Sequence, residues 1–80
     1  MTKEQAEFKK TKVFNDLNGS IRVKDRVFYE VSNVEVIGVG DDYDVYCDVK
    51  MIQHPNPDLL TFKEKVDIVL SQYKLVDSKF

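Results

Sequence analysis

The chain has one cysteine, one histidine, no tryptophan, two prolines and three glycines in 80 residues. Each scarcity removes a class of chemistry. A lone cysteine excludes an internal disulfide, and no cluster spaces Cys and His as a structural zinc site requires. With neither staple of small domains present, dimerisation is the remaining source of extra support. Gly19, Gly38 and Gly40 are too scattered for a phosphate-cradling loop, and Gly38-Val39-Gly40 does not continue into a helix. The opening residues MTKEQAEFKKTKVFN hold no apolar run of about 7 to 15 residues, and no stretch approaches membrane-spanning length. A cytoplasmic protein without membrane association is the expectation.

What is present is the balance of a globular domain: 42% of residues are hydrophobic and 32% charged, far from the composition of disorder. A chain of this length buries about 60–65% of its unfolded surface and makes one domain, residues 1–80. Its net charge of −2 conceals a segregation. Residues 1–29 carry +3, residues 30–60 carry −6 and residues 61–80 carry +1. Four of the acids fall in one stretch, GDDYDVYCDV (Gly40 to Val49), beside the only cysteine.

The spacing predicts an α+β fold: a helix over about 2–17, three or four antiparallel strands in a meander, and a second helix over about 57–75. Thr2 caps the first helix, Ala6, Val13, Phe14 and Leu17 form its apolar stripe, and Asn18-Gly19 stops it. The period then falls from 3.6 to 2. Strands are expected over about 20–24, with Ile21 and Val23 sharing a face, over 26–39, and over 44–53. Within 26–39 the apolar phase slips at Ser32-Asn33, where a β-bulge or a two-residue turn returns every valine to the core side. Lys24-Asp25 and Gly40-Asp41-Asp42-Tyr43 are the expected hairpin turns. His54-Pro55-Asn56-Pro57 ends the strand, and Asn56 and Pro57 start a helix whose stripe is Leu59, Phe62, Val66, Val69, Leu70 and Tyr73. Both helices are expected on one face of the sheet; an SH3-like small barrel over Ile21 to Ile52 with flanking helices is the alternative.

No catalytic set emerges. Nucleophilic catalysis needs a base beside Cys47 or a serine, yet His54 is the only histidine and Cys47 falls in phase with the apolar face of its strand. Asp41, Asp42 and Asp44 do not follow a calcium loop, because Gly40 precedes the acids and the chain re-enters a strand at Val45. A protein that is not an enzyme, with no cofactor and no metal, is expected.

Two charged surfaces remain as binding candidates. The acidic hairpin (Glu35, Asp41, Asp42, Tyr43, Asp44, Tyr46, Asp48) presents carboxylates interleaved with tyrosines to a basic protein surface. This predicts a binding or regulatory protein acting stoichiometrically on a protein partner. A nucleic-acid-processing enzyme is the sharpest candidate partner, with the hairpin imitating nucleic-acid charge as a small phage-type inhibitor would. The basic first third (Lys9, Lys10, Lys12, Arg22, Lys24, Arg26) gives the alternative of a nucleic-acid-binding module, against which a pI near 5.3 weighs. A third reading pairs the positive hairpin of one copy with the negative hairpin of another, as a homodimer or a homo-oligomeric structural subunit of a larger assembly.

Overall fold

The computed structural model describes residues 1–52 and 61–77. Its elements are α1 (Lys3–Leu17), β1 (Ile21–Lys24), β2 (Val27–Val39), β3 (Asp42–Met51), β4 (Thr61–Lys65), α2 (Val66–Gln72) and β5 (Lys74–Asp77). The strands form one antiparallel sheet in the order β4-β3-β2-β1-β5. This is the expected α+β layout, with five strands where three or four were anticipated. Among the described residues the outer strands β4 and β5 are not paired with each other, so no barrel closes.

Helix α1 begins at a capping box, in which Thr2 accepts from the Gln5 amide and the Gln5 side chain accepts from the Thr2 amide. It ends at Asn18, after which Gly19 takes a φ of 81° that a residue with a Cβ resists. Ala6 and Leu17 are fully buried, Val13 packs against the core, and Phe14 stays partly exposed.

The phase slip in β2 is a β-bulge. Ser32 pairs with Asp48 and Glu35 with Tyr46, so Asn33 and Val34 together face Cys47, and Asn33 sits at a φ of 51°. The extra residue restores the alternation. Val31 and Val34 are both buried, with Tyr29 and Val36 packed beside them. Val45, Cys47 and Val49 of β3 meet them on the same face, and Val66 and Val69 of α2 complete one core with both helices. Each buried valine contributes about 1.5–3 kcal/mol.

Both hairpins use two-residue loops. Asp25 and Arg26 carry φ values of 53° and 67° between the paired Lys24 and Val27, which moves the expected turn one residue along. Gly40 takes a φ of 63° between the paired Val39 and Asp42, so Asp42 and Tyr43 already belong to β3. One turn back from this loop, Tyr43 lies across Gly38: a Cβ on Gly38 would fall 2.3 Å from the Tyr43 ring.

Two expectations are overturned. The helix over 57–75 is absent as such: Thr61–Lys65 is a strand on β3, α2 is seven residues long, and Lys74–Asp77 is a strand on β1. The cause is the open edge of β3, whose backbone groups take β4 as partner and so override the helical spacing. The starting signals at Asn56 and Pro57, and His54, lie outside the described residues. The second correction concerns Arg22, expected on the basic surface: it faces the core and is 5% exposed, while Ile21 and Val23 share the opposite face of β1.

A reason for Arg22 is visible in its partners. Its guanidinium donates to the Asp16 carbonyl (3.5 Å) in the last turn of α1, to the Tyr73 carbonyl (3.3 Å) at the end of α2, and to Ser20 Oγ (3.3 Å). Ser20 in turn donates to the Leu17 carbonyl at 2.7 Å. Arg22 thus stands where the negative ends of two helix dipoles converge, which offsets the burial of its charge. Burial still pulls its pKa below the ordinary arginine value.

Candidate protein-docking surface

The sheet has two faces with different partners. The helices cover one; Glu30, Ser32, Glu35, Ile37 and Val39 of β2 alternate onto the other, with Lys50, Asp48, Tyr46, Asp44 and Asp42 of β3 opposite them in that order. Five of the seven predicted acidic-site residues share this outer face. Tyr43 does not: it packs toward the core over Gly38. Asp41 sits in the turn and is exposed.

Lysines neutralise most of the acidic ladder. Lys63 of β4 bonds both Glu35 and Asp48 (2.9 Å to Asp48), and Asn33 adds a bond to Asp48 at 2.9 Å. Lys9 of α1 joins Asp44 (3.2 Å) to Asp67 of α2 (2.6 Å), while Lys65 lies 3.9 Å from Asp44. The sequence hid these pairings, because Lys63 and Lys65 belong to a segment read as helix. At the tip only one of the two aspartates is paired. Asp42 is held by the Met1 amine at 2.6 Å, and among the described residues Asp41 has no ion-pair or hydrogen-bond partner.

The basic set is dispersed. Lys9 is tied to its two aspartates, Lys12 lies 4.6 Å over the Phe8 ring, Lys24 lies 5.0 Å over the Tyr73 ring, and Arg22 is in the core. Lys10 is half-buried on α1, and Arg26 is exposed in its turn. A phosphate backbone would find no continuous stripe here.

Sequence reasoning missed an apolar patch on the outer face. Val23 pairs with Phe28, and Phe28 accepts a backbone bond from Ile52 at 3.1 Å. Phe28 is 40% and Ile52 42% exposed. The signal was the inverted β1: once Arg22 turns inward, Ile21 and Val23 must turn outward. On the core side behind this patch Tyr29 packs edge-to-face on Tyr73 (5.2 Å) and Phe62 (6.5 Å).

The electrostatics follow from the contacts. Desolvation raises the Asp44 pKa, but the Val45 amide and Lys9 outweigh it and hold the carboxyl below its ordinary range. Asp48 is lowered first by Asn33 and then by Lys63. A carboxyl lowered in the folded state stabilises the fold above its ordinary pKa and ceases to do so as pH falls through the folded value. Denaturant titrations at stepped pH are therefore expected to show stability declining below about pH 4. Asp44→Asn and Asp48→Asn should each flatten that decline, losing no more than about 1 kcal/mol at neutral pH because their partners are partly solvated. An unchanged acid limb in both variants would remove these pairs from the explanation.

Cys47 is fully buried, and burial first, then Asp48 and Glu64, push its thiol up to about 11. It donates weakly to the Glu64 carbonyl at 3.7 Å, and at neutral pH it is not a thiolate nucleophile. Among the described residues no three His, Cys, Asp or Glu side chains group as metal ligands, and no helix is long and apolar enough to cross a membrane.

Comparisons with protein-family models, with curated proteins and with solved structures return no match, so the chemistry of the surface rests on its own residues.

Proposed function

We propose that this chain is a non-enzymatic protein-binding module that acts stoichiometrically by presenting the tip of its acidic hairpin, Val39-Gly40-Asp41-Asp42, to a basic partner surface. One observation carries the reading: pairing within the acidic ladder leaves Asp41 at the tip without an ion-pair or hydrogen-bond partner among the described residues, beside Val39, which is 75% exposed. An unpaired carboxylate beside an exposed apolar group favours contact with a positively charged, partly apolar surface. The basic groove of a nucleic-acid-processing enzyme has that chemistry. With Asp44, Asp48 and Glu35 already paired, the contact is a local plug for such a groove more than an imitation of a phosphate backbone.

The test is affinity capture from the host lysate, scored as a protein recovered in equimolar ratio. Val39→Ser with Asp41→Asn and Asp42→Asn is expected to lose that protein, while Lys63→Gln, which alters only the paired ladder, retains it. Loss in neither variant, or no equimolar protein with the wild type, would overturn the reading.

A further inference from the structure

The two hairpin turns sit at opposite ends of β2, whose 13 residues span about 40 Å at ~3.3 Å per residue. The molecule's long axis is 38 Å. That separation exceeds the screening length of ~8 Å several-fold, so the charges at the two ends do not cancel each other.

Each end of the outer face pairs apolar side chains with one sign of charge. At the β1–β2 end, Val23, Phe28 and Ile52 are flanked by Arg26 in the turn and by Lys74, which is exposed and pairs with Val23. Asp25 is the acid on that turn, and Arg26 with Lys74 outweighs it. At the β2–β3 end, Ile37 and Val39 stand beside Asp41 and Asp42; the Met1 amine pairs with Asp42, and Asp41 leaves the end net negative. Between them lies the ladder in which Lys9, Lys63 and Lys65 pair with Glu35, Asp44 and Asp48. The face is apolar and positive at one end, neutral in the middle, apolar and negative at the other.

We infer that the outer face docks a second copy of this chain in antiparallel orientation, forming a closed two-fold dimer. A two-fold axis across the neutral ladder sets the Phe28 end of each copy against the Val39 end of the other, so both complementary contacts form at once and no end is left to propagate a chain. Charge complementarity selects this occupant: the patch around Phe28 takes an acidic, partly apolar segment, and Val39-Gly40-Asp41-Asp42 is one. The inference does not rest on the partner reading above, which concerns a foreign protein.

The experiment is sedimentation of the full chain over a concentration series at low and high salt. A salt-weakened dimer of the 9.3 kDa chain is expected. Arg26→Glu with Lys74→Glu, and separately Asp41→Lys with Asp42→Lys, should each weaken it by about tenfold or more, since each opposes like charges at both contacts. An equimolar mixture of the two variants should dimerise again, because each then offers the other opposite charges at both ends. Regain in the mixture also shows that the variants are folded. A monomer at all concentrations, a dimer indifferent to both exchanges, no regain on mixing, or an open-ended oligomer would overturn the inference.

Discussion

Replacing Arg22 by methionine is expected to destabilise the fold by about 3 kcal/mol, which in a domain of this size lowers the melting temperature by ~10 °C or more. Two effects compete. Removing a buried charge and filling its volume with an apolar side chain can be neutral or even favourable. Against this, the guanidinium supplies donors to the Asp16 and Tyr73 carbonyls and to Ser20 Oγ in a region where Arg22 is only 5% exposed. An orphaned buried acceptor costs roughly 1–3 kcal/mol; the Tyr73 carbonyl and Ser20 Oγ are buried and the Asp16 carbonyl is part-buried, and no other cation reaches the two helix ends from within their last turns. The orphaning effect should win. Arg22→Lys keeps the charge but offers a point where a fork is needed, and should lose about half as much. Urea titration of both variants decides the matter: an Arg22→Met protein as stable as the wild type would mean that the helix ends do not depend on this side chain.

Deletion of Asn33 is expected to abolish cooperative folding. The bulge holds two residues, Asn33 and Val34, against Cys47, and everything beyond it owes its facing to that extra residue. Without it the strand pairs regularly, and either Val34 and Val36 or Tyr29 and Val31 rotate onto the outer face while Glu35 or Glu30 turns toward the core. The loss of two buried apolar side chains, at about 1.5–3 kcal/mol each, rivals the whole stability of a domain this small. Asn33→Gly is the informative companion. It keeps the residue count, relieves a φ of 51°, and forfeits only the bond to Asp48, so it should fold with stability near that of the wild type. Near-ultraviolet circular dichroism of the tyrosines together with a thermal melt reads both proteins. A deletion variant that melts cooperatively would show that the sheet tolerates either register.

The elements legible in the sequence are those whose signals are local. Thr2 and Asn18-Gly19 bracket α1 to within a residue, and the alternation of Val45, Cys47 and Val49 gave β3 and its buried face. The slip at Ser32-Asn33 marked a break, since two valine sets out of phase had to share one core, but a bulge and a two-residue turn satisfy it equally and only the pairing with β3 selects the bulge. What was illegible depends on distant partners. Thr61–Lys65 carries helical spacing, yet the unpaired edge of β3 claims it, and of the five described members of its stripe only Val66, Val69 and Tyr73 are buried. Phe62 and Leu70 remain 41% and 45% exposed. Arg22 has the local pattern of a surface cation, and alternation cannot reveal that two helix ends converge upon it. The same blindness affected the candidate site: four carboxylates in ten residues were plain, but the lysines that neutralise them come from α1 and β4. Of the four, only Asp41 at the tip kept the availability that the sequence suggested for all of them.

The contact between Gly38 and Tyr43 has a consequence for how this chain can change over generations. The ring occupies the volume a side chain at 38 would need, so a change at 38 calls for a change in the ring's position or identity. A larger residue at 38 becomes admissible only after the tyrosine has been exchanged for something smaller, and that first exchange uncovers a glycine inside a strand. The path between the two states runs through a less stable ancestor whichever position moves first.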